Sequence, residues 1–313
     1  MIPPTEQLPV VSPTDRIQAD GRPTPEFRAE LRRIPSWRNA ASVAGFYGQT
    51  AAVIYGAVRL GPWSWPLAIV LMGRANAQIL SLMHDAAHRL LFAERRVNDF
   101  VGRWLLGYPA WTPTDAYRRV HAAHHREEFG PDEPDLALYA GYPISRDSLR
   151  RKLTRDATGR TGWKLMKSFL RNVRSTDAKV RLTTAKILAV QAVLLGTAIA
   201  SGHWWVYPVL WLLPYLTVWR VINRLRSIAE HGGMRASKDR RQTTHTVAQH
   251  ALARFFVVPY RIGLHLAHHV DSGVPFRNLP KFHAALLEAG YITDEIEYSG
   301  YPALWRALGS RAG

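Results

Sequence analysis

Four stretches of the chain are almost unbroken in apolar residues: about Ala40 to Leu60, Trp63 to Met83, Thr184 to Ala200 and Trp204 to Ile222. The first two are separated by Gly61-Pro62 and flanked by Trp63 and Trp65. The second two are separated by Ser201-Gly202-His203, with Trp204-Trp205 following. A helix needs about 20 apolar residues to span a bilayer, and aromatic side chains favour its interface. A water-soluble helix of this length carries a polar stripe, whereas AVLLGTAIA (192–200) and WWVYPVLWLLPYL (204–216) have almost none. The pattern therefore predicts an all-α membrane protein with four transmembrane helices in two hairpins.

Shorter apolar runs at 97–111 and 247–260 cannot span, and they predict interfacial helices along the inner leaflet. The proline-rich start, Met1 to about Asp20, predicts a mobile tail with no secretory signal. The segment Pro25 to Arg38 predicts a short amphipathic helix. The expected domains are a tail and interfacial helix at 1–39 and a membrane domain with a cytoplasmic helical cap at 40–313. Arg74, Asn76 and Gln78 interrupt the second apolar stretch. Polar groups inside a membrane are costly, so the three either line a substrate passage or hydrogen-bond to another helix.

Charge fixes the expected orientation. Lysine and arginine number 41 against 24 acidic residues, a formal charge of +17. The basic residues crowd the N-terminal segment, the stretch from Arg89 to Lys186 and the region after Arg220, while Arg59 alone lies near either hairpin turn. By the positive-inside rule both termini and the long middle segment are cytoplasmic, as in a bacterial inner-membrane protein. The basicity then needs no nucleic acid, and no recognition fold surrounds the basic runs.

The chain has 13 histidines and no cysteine. Thiolate ligands and thiol nucleophiles are thereby excluded, so any metal sits on His, Asp or Glu. Eight histidines fall into three groups: His84 and His88; His121, His124 and His125; His265, His268 and His269. Residues three or four apart share a helix face, and neutral imidazole suits iron, zinc or copper. Eight imidazoles exceed the capacity of one ion, which points to two metals. Among neighbouring carboxylates, Asp85 and Glu230 are placed to hold ligand imidazoles from behind, as are Asp132, Glu133, Asp135 and Asp271 with less reason. His203, His245 and His250 are expected to be ordinary polar residues, the last two on an interfacial segment.

These boxes, in this order with two hairpins between and around them, resemble the membrane fatty-acid desaturase and hydroxylase superfamily from about Ala40 to His283. The most specific stretches are HDAAH at 84–88, RSIAEH at 226–231 and the run from His265 to His283. The resemblance implies a di-iron centre with a further ligand at His231 and a structural role for His283. It also implies that His84, His121, His124 and His268 bind one iron and that His88, His125, His231, His265 and His269 bind the other. Some relatives of this kind carry an asparagine four residues before the extra histidine to hold a water; here the residue is Ser227. The short first box does not choose among desaturase, hydroxylase and ketolase branches.

The implied activity is O2-dependent oxidation of a fatty acyl or other lipid-like chain. Desaturation is preferred over hydroxylation or ketolation of a lipid, carotenoid or natural product. Electrons would come from a separate donor such as ferredoxin and its reductase, docked on the basic face. A zinc-dependent membrane hydrolase is the alternative from another class and needs only three or four ligands; a metal carrier is a third.

Overall fold

The computed structural model describes residues 7–311 and is mostly helical. In chain order the helices are α1 (Pro25–Leu31), α2 (Ser36–Leu60), α3 (Trp65–Ala87), α4 (Arg95–Phe100), α5 (Thr114–Glu127), α6 (Leu136–Tyr139), α7 (Arg146–Ala157), α8 (Arg160–Arg171), α9 (Ala178–Ala200), α10 (Leu213–Leu216), α11 (Val218–His231), α12 (Ala251–Phe256), α13 (His265–Val270), α14 (Leu279–Glu288) and α15 (Tyr301–Leu308). The chain forms two compact units. A long-helix unit comprises 35–118 and 151–223; a histidine-rich unit comprises the described residues up to Ile34, 119–150 and those from Arg224 onward.

In the long-helix unit, α2 ends at Gly61, whose φ of 83° suits glycine, and Pro62 prevents continuation. Two helices among the described residues are long and apolar enough to cross a membrane: Pro62–Ala87, which joins a short 3-10 turn to α3, and α9. The latter begins before the predicted Thr184 because Asp177 caps it, accepting from the Lys179 N–H. Of the other expected spans, α2 has the length but is diluted by Arg38, Asn39, Gln49 and Arg59.

The fourth expected span is not one helix. It is a π-helical turn at Tyr207–Leu212, then α10, a non-helical Thr217 and the start of α11. Pro208 and Pro214 lack the N–H that an α-helix interior requires, and each disturbs the turn before it, which accounts for the π-helical turn ahead of Pro214. Trp65 and Trp205 stack at 4.4 Å. Tyr55, Leu182, Val193 and Ile199 leave more than half their surface uncovered, apolar area that a bilayer would cover. The predicted interfacial run at 97–111 is α4 continued by a π-helix, Val101–Gly107.

The histidine-rich unit has a core of Ile228, Val258, Ile262, Leu304 and Leu308. A parallel pair of short strands, Thr246–Val247 with Glu297–Tyr298, closes it. Gly263 lets α13 approach the last helix, since a Cβ there would lie 2.2 Å from the Tyr301 hydroxyl. Three expectations are corrected in this unit. The predicted tail is tied to the unit from Pro9 on: Arg241 donates to the Pro9 carbonyl, the Ser12 N–H donates to the Ala289 carbonyl, and Ile17 is fully buried and bridges to Pro23. The segment 1–6 lies outside the described residues. The predicted interfacial run at 247–260 has no continuous helix, because Val258 is buried and Pro259 breaks it. The predicted helix 25–38 likewise stops at Leu31, and Pro35 precedes α2.

Candidate metal centre

Within the histidine-rich unit, α13 presents His265, His268 and His269 one turn apart, and all three are buried. The part of α5 beyond Arg119 presents His121, His124 and His125, and α11 ends on His231. Their ligand nitrogens fall into two groups. His124, His231, His265 and His269 offer atoms that all lie within 4.8 Å of one another, and so do His121, His125 and His268. Consecutive helical residues point about 100° apart, so His124 and His125 necessarily serve different groups. This grouping exchanges them relative to the partition that the resemblance implies.

Outer hydrogen bonds set the tautomers of the first group. His231 Nδ1 donates to the Thr243 carbonyl at 2.9 Å, His124 Nδ1 to Glu133 Oε1 at 2.9 Å, and His269 Nδ1 to the Glu128 carboxylate. A neutral imidazole that donates from Nδ1 carries its lone pair on Nε2. The Nε2 atoms of His231 and His269 stand 3.1 and 3.0 Å from that of His265. One N–H on His265 satisfies at most one of them. The remaining lone pairs converge in a buried space, a donor arrangement that fits a cation and not a hydrogen-bond network. In the second group His125 Nε2 lies 3.1 Å from His121 Nε2 and 3.0 Å from His268 Nε2.

Electrostatics agree with this reading. Burial, and then the neighbouring imidazoles, hold His231, His265 and His269 well below the ordinary imidazole range, so they are neutral. His124 goes the other way: burial lowers it, but the Glu133 hydrogen bond and charge prevail and raise it. Arg240 holds Glu128 at 2.7 Å and donates to the His125 carbonyl. Tyr139, fully buried, lies against the His231 ring with centroids 5.0 Å apart.

His84 and His88 belong to the long-helix unit, the first inside α3 and the second at its C-cap, with ring centroids 4.7 Å apart. The exposed carbonyls at this helix end are taken by side chains: Asn98 donates to Ala86, and Arg118 donates to Ala86 and Ala87 while pairing with Asp99 at 2.6 Å. These bonds fix the first box.

The structure redistributes the expected carboxylates. Asp85 stands 3.8 Å from His84 Nδ1, too far for a hydrogen bond. Glu230 binds Arg226 at 2.7 Å and stands 3.9 Å from His265 Nδ1, and Asp271 pairs with Arg28 and Arg32. Glu133 and Glu128, which follow the second box, hold imidazoles directly, and no spacing rule marks Glu128 for that role. Ser227 is half-buried, one turn before His231 on α11. His245, expected on an interfacial segment, is buried with Nε2 2.8 Å from the Gly232 carbonyl. His203 and His250 bind backbone carbonyls, and His283 lies 3.5 Å from Glu297. Arg74 donates to both Gln49 and Gln78 at 2.6 Å, and Asn76 donates to the Met72 carbonyl.

The family model described as fatty acid desaturase matches residues 60–299. Among curated proteins, the dihydrorhizobitoxine desaturase of Bradyrhizobium elkanii is 26% identical over 77% of this chain and 73% of its own length. The sn-1 oleoyl-lipid 12-desaturase of Anabaena variabilis is 24% identical over 78% of this chain and 76% of its own. With three quarters of its length matched by that model, the chain belongs to the fatty acid desaturase family.

Proposed function

We propose that the protein is a membrane oxidase with two irons that introduces a double bond into a fatty acyl or similar lipid-like chain. The observation that carries this reading is the pair of imidazole groups within the histidine-rich unit, one of four rings and one of three. Seven ligands exceed what a single hydrolytic zinc needs. The resemblance assigns His84 and His88 to the same function, giving nine ligands in all. The relatives named as desaturases favour a double bond over an alcohol.

When bound, the irons would supply O2 activation and one-electron steps that imidazoles cannot perform. The chain's own residues do the rest. Glu128, Glu133 and the Thr243 carbonyl hold Nδ1–H groups, which turns the Nε2 lone pairs inward and raises their basicity. Tyr139 and Phe129 pack around His231 and keep water from that side. Overall, one O2, two electrons and two protons from solution, and two hydrogens from adjacent chain carbons give a double bond and two waters. The electrons come from a separate donor of the ferredoxin class, drawn to the basic surface. Spanning helices in two hairpins, with both termini cytoplasmic, complete the proposed arrangement.

Expression in a lipid-producing host with a ferredoxin and its reductase, followed by mass spectrometry of the lipids, tests this. Loss of two hydrogens, abolished by His265→Ala, is expected. Gain of one oxygen instead would replace desaturation by hydroxylation.

A further inference from the structure

Helix α8 carries a feature that oxidation chemistry does not use. Arg160, Lys164, Lys167 and Arg171, continued by Arg174, recur every three or four residues and form one stripe. All five are exposed, and none is in an ion pair among the described residues. On the opposite face Gly162 and Met166 are buried. A Cβ at Gly162 would lie 2.2 Å from the Leu216 carbonyl oxygen, and Phe169 meets the edge of Trp111 at 5.7 Å. The helix is thus seated on its own unit by a narrow strip.

Beside that strip, large apolar side chains stay uncovered: Trp163 is 52% exposed, Val173 49% and Leu165 47%. Water suits the cationic stripe but not these residues. An acidic protein would match the charges and leave the tryptophan unexplained. A bilayer interface matches both, because lysine and arginine reach phosphates from stems lying on apolar surface. Continuity supports the choice, since α9, which is apolar and long enough to span, begins at Ala178, just after Arg174.

We propose that α8 is a docking helix for anionic phospholipid, with the phosphodiester of a lipid such as phosphatidylglycerol on the stripe and its chains against Trp163 and Val173. Each basic residue near an anionic surface is worth about a fivefold enrichment, so local selection for such a lipid is strong.

The absence of cysteine makes a direct test simple. Ser168→Cys, at the edge of the stripe, provides one site for a fluorophore on the full-length protein in lipid nanodiscs. Brominated phosphatidylglycerol and brominated phosphatidylcholine are compared as quenchers at equal mole fraction. The expected result is an apparent enrichment of the anionic lipid of about fivefold or more, abolished by K164Q/K167Q/R171Q and retained in K164R/K167R. Equal quenching by the two lipids in the unsubstituted stripe overturns the proposal. So does the absence of quenching by either lipid together with shielding of the label by an acidic ferredoxin, which would make α8 a protein-docking face.

Discussion

Glu133 stands directly behind His124, its Oε1 2.9 Å from Nδ1, and its side chain is completely buried. That contact fixes one ring of the four-imidazole group in the tautomer a metal requires. Glu133→Gln keeps the shape and removes the charge, so ferrous-iron affinity should fall by about 10- to 100-fold while the helical signal is kept. Iron titration monitored by equilibrium dialysis measures it, and an unchanged affinity would mean that the carboxylate is incidental.

The second such carboxylate, Glu128, is itself held by Arg240 at 2.7 Å, so arginine, carboxylate and His269 form a chain. Glu128→Gln should accelerate loss of iron to a chelator more than Arg240→Gln does. Because the two act through one imidazole, the double variant should be less impaired than the sum of the singles, by about 0.5–3 kcal/mol. Strict additivity would argue against the chain.

Two glycines in the long-helix unit offer a contrast. A Cβ at Gly162 collides with the Leu216 backbone, whereas one at Gly196 meets nothing within 4 Å. Gly162→Val should lower stability by about 1–3 kcal/mol or more, and Gly196→Ala should leave the melting temperature unchanged or higher. A thermal melt in detergent compares the two. Equal melting temperatures would contradict the close approach of α8 to Leu216.

Arg74 joins α3 to α2 through Gln49. Hydrogen bonds from a charged group are worth about 1.5–3 kcal/mol each, so Arg74→Met should lower stability while the double bond stays at the same carbon. A shifted double-bond position in the product would instead place Arg74 on a substrate passage.

Much of the site was legible because ligand spacing is a local property. The intervals of four, His121 to His125 and His265 to His269, become shared faces of α5 and α13, while the intervals of three divide between the two groups, and His231 matches a family position. What lay beyond local spacing was not legible. Glu128 and Glu133 follow the second box by a few residues, but only the turn after α5 brings one back to His124 and directs the other to His269. Asp85 and Glu230 were singled out for adjacency to histidines, yet neighbours on a helix point apart, and neither bonds to the imidazole it adjoins.

The fold divides in the same way. Hydropathy located α3 and α9, where composition alone decides, and failed at Tyr207–Thr217, where two prolines break the backbone of an equally apolar run. The prolines of the N-terminal segment signal no helix and suggest a tail, but Ile17 is fully buried and the Ser12 N–H donates to the carbonyl of Ala289, far along the chain.

Whether the buried imidazoles hold a pair of irons is decided by metal analysis of the purified protein, loaded anaerobically with ferrous iron and desalted. Two irons per chain are expected, falling in His265→Ala and His268→Ala variants that retain their helical content. A single tightly held zinc, or no retained metal in a folded protein with every histidine intact, would contradict it.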